Sequence, residues 1–327
     1  MSQLPVPQPP WYMALIEGTT AVPQSVAKLI DSVGNQLGLF LEPTHIRRKG
    51  RAQADVLVSE ANAKAEIAVL EINSKLAIQN IQDRAAEKNR RREEKRQANA
   101  EAIAGKAVRE LPPTASGAPV DEDWVAQFLD HCQDVSNEQM QSVWAKILAG
   151  EVTAPGSFSL RTLAAVKLLS PNEANAFTRF CSLLWETNDG PLLIVPDTHV
   201  LASLPGIQLP FLDLFRLDSL DLIRLEGAAG FSLRFEADAY LNYSYYGKPH
   251  IMTHKGACNL RLGGAMLTDV GRELVPIAGG TPNEGYRRWV IKDLRDQGWE
   301  VVEAPIDAAA SAPAAPGNLP GCGSETS

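Results

Sequence analysis

The chain has 327 residues, of which 45% are hydrophobic, and a formal net charge of −8. This is enough material for two modest domains, and no apolar run reaches the ~18 residues that a membrane-spanning helix needs. The charge is uneven: residues 44–111 carry 15 Lys and Arg against 10 Asp and Glu, whereas residues 112–327 carry 15 against 26. The acidic excess argues against general nucleic-acid binding by the C-terminal part.

The N-terminal segment predicts a flexible start followed by one amphipathic helix. Residues 1–22 are rich in proline and lack the apolar core of a secretory signal peptide. From residue 23 to 41 one face with helical spacing contains Val26, Leu29, Ile30, Val33, Leu37 and Leu41. We expect this face to pack on the long helix that follows, because a lone Lys28 on the polar side disfavours the alternative of peripheral membrane contact. With four widely spaced cysteines, these features predict a reduced, cytoplasmic protein.

Residues 44–111 contain no proline and are dominated by good helix formers. The composition predicts one very long helix, a rod of on the order of 100 Å. Two apolar rows with heptad-like spacing predict self-association through residues 56–81, with an intramolecular helical hairpin as the alternative. The residues predicted to oligomerise are Val58, Ala65, Ile67, Val69, Leu70, Ile72, Leu76 and Ile81.

Charge replaces the apolar rows beyond Ile81. Seven basic and four acidic residues lie between Asp83 and Arg96. Basic side chains along one helix attract polyanions, and the candidate nucleic-acid contacts are Arg90, Arg91, Arg92, Lys95 and Arg96. The alternative is a solvated helix with ion pairs such as Glu87 to Arg91. The interspersed carboxylates favour this alternative, because they lower the local positive potential.

A Pro, Gly and Ser linker over residues 112–119 leads to a predicted helical block over residues 120–189. The predicted N-caps are Asp121, Ser136 with Gln139 three residues later, and Ser170 with Glu173. Gly150 is expected to end the second helix of the block. The predicted core residues of the block include Trp124, Phe128, Cys132, Trp144, Leu184 and Trp185, the last two on the helix that follows Ser170.

The remaining sequence predicts short strands among short helices. Strand candidates are residues 191–195, 231–235 and 240–247. Residues 211–227 predict a helix that runs into a strand. Residues 267–277 predict a strand end followed by a helix that Thr268 caps, and residues 283–306 predict a final helix, a turn at Gly298 and a strand. Residues 190–303 therefore predict a winged-helix-like α+β domain, and the whole chain is predicted to be mainly α with a C-terminal α+β part. Residues 211–222 occupy the place of a recognition helix, but Arg216 stands there among three aspartates, which favours a structural or protein-binding use. Residues 304–327 are rich in Ala, Pro, Gly and Ser and are predicted to form a disordered tail.

The sequence shows none of the common catalytic motifs. We find no phosphate-binding loop, no H-E-x-x-H, no nucleophile elbow and no paired C-x-x-C. His250, His254 and Cys258 stand four residues apart. Pro249 and Gly256 argue against a helix there, and in a strand such residues lie about 13 Å apart, too far for one metal ion. We therefore predict no cofactor and no metal, and we favour a binding role over an enzymatic one.

Several stretches resemble a bacterial family known as domain of unknown function 2806. The most specific are WAKILAGE at residues 144–151 and PGSFSLRTL at residues 155–163, within a resemblance over residues 120–174. Residues 37–55 resemble the family's entry into an alanine-rich helix, and residues 267–275 resemble its C-terminal element. The resemblance covers most of the chain, but it implies no established activity.

A weaker similarity points to abortive-infection alpha proteins. It rests on Met140, Gln141, Trp144, Ala145, Leu148, Ala149, Leu169, Ser170, Pro171 and Ala174. Core and cap residues of this kind imply a shared fold module rather than an active site. We therefore predict a non-enzymatic interaction or scaffold protein that oligomerises through its long helix, with antiviral defence as the role that the similarity implies. The expected partners are a second copy of the chain and an unidentified protein; the alternative is a nucleic-acid-binding regulator that uses the basic segment and the winged-helix-like domain.

Overall fold

The computed structural model describes residues 23–34, 36–37, 64–194, 201, 206–226 and 230–304, and for residues 64–77 it describes the helical backbone alone. The chain divides into two compact units, residues 1–155 and residues 156–327. About half of the described chain is helical, and its strands are antiparallel and belong to the second unit. The coarse prediction of a mainly helical chain with a C-terminal α+β part is confirmed.

Four helices are described in the first unit. They are α1 (Gln24–Gly34), α2 (Lys64–Glu110), α3 (Glu122–Cys132) and α4 (Glu138–Thr153). The 47 residues of α2 correspond to a length of about 70 Å. The predicted start of this helix near residue 44 lies outside the described residues, as does the predicted flexible N-terminus.

The C-terminal half of α2 provides much of the first unit's core. It packs against α4 and contributes the buried residues Ala100, Ile103, Ala104 and Ala107. Three of these four residues are alanines, whose small side chains allow the two helices to approach closely. Of the predicted apolar rows at residues 56–81, the described side chains Ile78 and Ile81 are exposed and do not contribute to this core.

The aromatic residues of α3 and α4 complete the core as predicted. Trp124, Phe128 and Cys132 are all buried, and the Trp124 and Phe128 rings stack with centroids 5.2 Å apart. Trp144 of α4 is fully buried and meets the Phe128 ring edge-on, with centroids 5.4 Å apart. Leu29 of α1 is also fully buried, because α1 packs on α3 and α4.

Helix α1 packs mainly on α3 and α4, and the predicted packing on the long helix α2 is a small part of its contacts. Besides the contacts with α3 and α4, the Gln97 amide of α2 donates to the Leu37 carbonyl at 2.9 Å, and the Ser25 hydroxyl donates to the Pro112 carbonyl at 2.6 Å. The apolar face of α1, with Val33 1% exposed, is thus used inside the first unit.

The N-caps of these helices follow the sequence with one error. Asp121 accepts a hydrogen bond from the Trp124 amide at 2.8 Å, as predicted. The predicted Ser136 capping box is wrong: the cap of α4 is Asn137, whose side chain accepts from the Met140 amide at 3.1 Å. Gly150 does not end α4, which continues to Thr153. Asn137 can cap α4 in place of Ser136 because Asn caps helices as well as Ser does. Helix α4 can continue past Gly150 because a glycine is tolerated within a packed helix.

The second unit combines five helices with nine strands in its described parts. The helices are α5 (Leu160–Leu168), α6 (Pro171–Cys181), α7 (Phe211–Ser219), α8 (Asp269–Leu274) and α9 (Glu284–Asp296). The strands are β1 (Leu184–Thr187), β2 (Gly190–Leu193), β3 (Ile223–Leu225), β4 (Phe231–Phe235), β5 (Ala239–Tyr245), β6 (Lys248–His254), β7 (Cys258–Gly263), β8 (Ala265–Leu267) and β9 (Glu300–Glu303). One sheet has the order β2-β1-β5-β6-β9, and two further pairs are β3-β8 and β4-β7.

The helix that follows Ser170 ends earlier than predicted. Its capping box, formed by Ser170 and Glu173, is present as predicted. However, α6 stops at Cys181, so the assignment of Leu184 and Trp185 to this helix is wrong. Both belong to β1, where the Trp185 ring packs 5.1 Å from the Tyr245 ring in the centre of the sheet. Tertiary packing of a large aromatic residue outweighs the helical spacing here.

The five-stranded sheet is centred on the hairpin formed by β5 and β6. The two strands are joined by Tyr246 and Gly247, which have φ angles of 48° and 76°. Two consecutive residues of this kind form the type I′ turn that suits a two-residue hairpin. Tyrosine is unusual at the first position, and its hydroxyl donates to the Cys181 carbonyl at 3.1 Å. Strands near 191–195, 231–235 and 240–247 are confirmed, whereas β1, β6 and β7 were not predicted.

The C-terminal end of the described chain is ordered through β9. The predicted helix, turn at Gly298 and strand are all present, and the Ala304 amide donates to the Pro249 carbonyl at 2.9 Å. Apart from Ala304, the predicted disordered tail over residues 304–327 lies outside the described residues.

Candidate functional site

The basic segment of α2 is engaged in ion pairs along the same helix. Arg90 contacts Glu87 at 2.8 Å and also pairs with Glu94, and Arg91 contacts Glu87 at 2.6 Å. Hydrogen bonds from Arg90 and Arg91 lower the pKa of the Glu87 carboxyl to about 2. This arrangement matches the alternative interpretation of the segment, a solvated helix with internal ion pairs.

Two further arginines of the segment are directed at one carboxylate of the α3–α4 connection. Arg96 contacts Asp134 at 2.8 Å, and Arg92 contacts it at 3.7 Å. Of the five predicted phosphate contacts, only Lys95 makes no ion pair with the residues that the structure describes. All five lie on one part of α2, where Arg96 is half-buried and the other four are exposed, and four of the five already face carboxylates.

The predicted oligomerisation residues lie mostly where the structure gives no side chains. Val58 lies outside the described residues, and six more lie on α2 where only the backbone is described: Ala65, Ile67, Val69, Leu70, Ile72 and Leu76. Ile81 is 58% exposed, and Ile78 on the same face is 54% exposed. From residue 78 to 95 every side chain is exposed except the half-buried Glu87.

Gln141 is buried in the first unit and makes hydrogen bonds there. It is one of the residues on which the similarity to abortive-infection alpha proteins rests. Its amide donates to the Val135 carbonyl at 3.1 Å, and its carbonyl oxygen accepts from the Lys106 ammonium at 3.1 Å. Nearby, the Asn99 amide donates to the Gln133 carbonyl at 2.9 Å. These bonds link α2 to the start of α4, which is a structural role.

Two segments that carry the family resemblance, residues 155–163 and 267–275, meet at one carboxylate. Glu273 of α8 accepts from the Ser159 amide at 2.7 Å and from the Thr162 hydroxyl at 2.5 Å. Ser159 also caps α5 by accepting from the Thr162 amide, and Thr162 is fully buried. The hydroxyls and the carboxylate thus satisfy one another and the backbone, so the segment around residues 155–163 builds the fold rather than a nucleophilic site.

Close packing explains the glycine in the segment LTDVGREL. β3 pairs with β8, and the Thr268 amide donates to the Leu222 carbonyl at 3.2 Å. A Cβ atom at Gly271 would overlap the same Leu222 carbonyl oxygen. Thr268 caps α8 as predicted, by accepting from the Gly271 amide at 3.0 Å. Gly271 therefore allows α8 to approach the backbone of Leu222, which lies between α7 and β3.

The cysteine and histidine candidates show no catalytic or metal-binding arrangement in the described residues. Cys132 and Cys181 are buried free thiols, and burial raises both pKa values, that of Cys132 to about 12. Thiols of this kind are inert, because the thiolate is the reactive form. His250 and His254 lie on β6 and Cys258 begins β7. No group of three metal-ligating side chains occurs among the residues described.

One cleft in the second unit was missed by the sequence analysis. It lies between α9 and the strands β6 and β9, with a volume of about 460 Å³. Its walls consist of His250, Arg288, Ile291, Lys292, Arg295, Asp296, Val301 and Glu303. The signal that could have revealed it is the spacing of Arg288, Lys292 and Arg295 at i, i+4 and i+7, which places three cations on one face of a helix.

A polar network supports one side of this cleft. Arg287 contacts Glu284 at 2.8 Å and Glu303 at 3.0 Å, and its guanidinium donates to His250 Nε2 at 3.1 Å. The Nδ1–H group of His250 then donates to the Lys248 carbonyl at 2.8 Å. Burial lowers the pKa of His250, so the ring is neutral at pH 7. Since both ring nitrogens have partners, His250 positions Arg287 rather than acting as a base.

The comparisons with known proteins agree with the resemblance seen in the sequence. The family described as "Protein of unknown function (DUF2806)" matches residues 83–291, which is more than half of the chain. The chain belongs to this family. No curated protein and no solved structure matches it. The similarity to abortive-infection alpha proteins therefore stays a prediction.

The DUF2806 match includes some of the candidate site residues and excludes others. It begins in α2 just after Ile81, so it contains the basic segment but not the predicted oligomerisation residues. It ends at Ile291 of α9, so it contains Arg288 but not Lys292.

Among the described residues, no helix is both long and apolar enough to cross a membrane.

Proposed function

We propose that this DUF2806 protein is a non-enzymatic, cytoplasmic scaffold that self-associates through its long helix. The observation that carries the proposal is the pair Ile78 and Ile81, which are 54% and 58% exposed. They lie one turn apart on the same side of α2, in a stretch whose other side chains are charged or polar apart from two alanines, Ala85 and Ala86. A second copy of the helix would bury both isoleucines, as the heptad-like rows of residues 56–81 suggest.

Two paired variants test this proposal by sedimentation velocity at micromolar concentration. The double variant Ile78→Glu/Ile81→Glu removes the apolar pair and adds two negative charges. The matched control Gln79→Glu/Gln82→Glu adds the same charges at neighbouring exposed positions of the same helix. We expect the wild-type chain and the control to sediment as multiples of the 35.4 kDa chain, and the isoleucine variant to shift toward the monomer. A monomeric wild-type protein, or equal effects of both variants, would remove the self-association from the proposal.

A second candidate function is nucleic-acid binding through a winged-helix-like module. The order of α7, the antiparallel pair β3 and β8, and α8 favours this fold assignment. Against a nucleic-acid partner, the exposed side of α7 presents Leu212 and Phe215, which are 59% and 52% exposed. Arg216 of this helix contacts Asp213 at 3.0 Å. An apolar helix face of this kind suits a protein partner better than a phosphate backbone.

The proposed biological setting is antiviral defence, which follows only from the similarity to abortive-infection alpha proteins. Plaque counts on bacteria that express the chain test this part of the proposal. We expect fewer plaques than in cells that express the Ile78→Glu/Ile81→Glu variant. Equal plaque numbers with wild-type protein and an empty vector across a phage panel would contradict the defence role while leaving self-association untouched.

A further inference from the structure

The cleft between α9 and β9 contains three cations without carboxylate partners in the described part of the chain. Arg288 donates to the Glu284 carbonyl at 3.2 Å, and Arg295 donates to the Val301 carbonyl at 2.7 Å. Lys292 lies between them on the helix and makes no hydrogen bond or ion pair with the described residues. By contrast, the neighbouring Arg287 is neutralised by two glutamates. In a region with a strong acidic excess, three such cations on one helix face are unusual.

The other walls of the cleft leave this positive potential largely intact. Glu303 contacts Arg287 at 3.0 Å, and His250 is neutral and bonded through both nitrogens. Ile291 and Val301 contribute apolar surface. Asp296 is the one carboxylate of the lining that makes no ion pair with the described residues. The lining as a whole therefore offers more positive than negative charge.

We propose that this cleft binds the phosphate group of a small phosphorylated molecule. A phosphate monoester carries nearly two negative charges at neutral pH and offers three acceptor oxygens, which match two guanidinium groups and one ammonium group. The volume of about 460 Å³ lies in the range of small-molecule sites, and the apolar walls suit the organic part of such a ligand. A polyanion is less suited, because residues 112–327 carry 26 acidic against 15 basic residues.

Calorimetric titration of the full-length chain at fixed ionic strength tests the proposal, with ribose 5-phosphate, inorganic phosphate and ribose as probes. We expect both phosphates to bind and ribose to give no heat. Tighter binding of ribose 5-phosphate identifies a phosphorylated organic ligand, whereas equal or tighter binding of inorganic phosphate identifies the free ion as the source of the same group. No binding of either phosphate at about 10 mM, well above useful small-ligand affinities, overturns the proposal.

Substitutions locate the binding in the cleft. Lys292→Gln and Arg288→Gln each remove one charge-assisted contact at an exposed position and should weaken phosphate binding about 5- to 10-fold. The matched control Lys255→Gln removes an equally exposed lysine outside the cleft and should change nothing. Asp296→Asn removes a repelling carboxylate and should tighten binding about 3-fold. Equal weakening by Lys255→Gln overturns the assignment to a small-molecule site. Competition by duplex DNA also overturns it, if the DNA displaces ribose 5-phosphate when its concentration, counted in phosphate groups, is lower than that of ribose 5-phosphate.

Discussion

Replacement of Trp144 by alanine tests the central packing of the first unit. The Trp144 side chain is fully buried and meets the Phe128 ring edge-on at 5.4 Å. Removal of a buried tryptophan costs about 3–5 kcal/mol of unfolding free energy, of which the aromatic pair accounts for about 0.5–1.5 kcal/mol. For a unit of this size each kcal/mol corresponds to about 2–4 °C, so we expect a fall in melting temperature of about 6–20 °C.

The indole nitrogen provides a matched control for this experiment. Trp144 Nε1 is buried and has no hydrogen-bond partner among the described residues. Trp144→Phe therefore keeps a ring against Phe128 while removing an unsatisfied donor, and it should cost less than about 2 kcal/mol. Calorimetry and far-UV circular dichroism would measure both variants. A melting temperature within about 1 °C of wild type for Trp144→Ala, or equal losses for the two variants, would show that the residue is not packed as described.

Two further predictions concern the other sites. Replacement of Arg90, Arg91, Arg92, Lys95 and Arg96 by Gln should leave duplex DNA binding as weak as in the wild-type chain, because four of these residues already face carboxylates. Submicromolar, salt-sensitive wild-type binding in a fluorescence anisotropy titration that vanishes in the variant would promote the nucleic-acid alternative. Glu273→Ala should destabilise the second unit by about 1–3 kcal/mol in urea unfolding, because it leaves the buried Thr162 hydroxyl and the Ser159 amide without their acceptor. The control Glu300→Ala, at an exposed position of β9, should change stability by less than about 0.5 kcal/mol, and equal losses for the two glutamates would contradict this role of Glu273.

Local sequence signals predicted the elements well where the cap and the packing agree. The Ser170 capping box, the Asp121 and Thr268 caps and the Gly298 turn are all present because each depends on a few neighbouring residues. Leu184 and Trp185 were misassigned because their helical spacing competes with burial in a sheet whose central strands lie far away in the sequence. A single sequence does not reveal that competition.

The candidate sites were harder to predict than the fold. The basic segment of α2 was visible as a charge run, but its pairing with Asp134 depends on the tertiary position of the α3–α4 connection. The cleft beside α9 was not predicted because its cations are interspersed with buried residues such as Val290 and Leu294. These buried residues alone are enough to indicate an amphipathic helix. Truncation at residue 112 would remove Ile103 and the other buried residues of α2, and with them part of the core of the first unit.

The central β5–β6 hairpin has a consequence for the order in which the second unit assembles. Its strands are joined by two residues, so they can meet with little loss of chain entropy. The flanking strand β1 pairs through Glu186 with Ser244, and β9 pairs through Glu303 with His250, so the paired residues are 58 and 53 positions apart in the sequence. Short-range contacts form faster than long-range ones. We expect the β5–β6 hairpin, like the equally short β1–β2 hairpin, to form before β1 and β9 pair with its two borders.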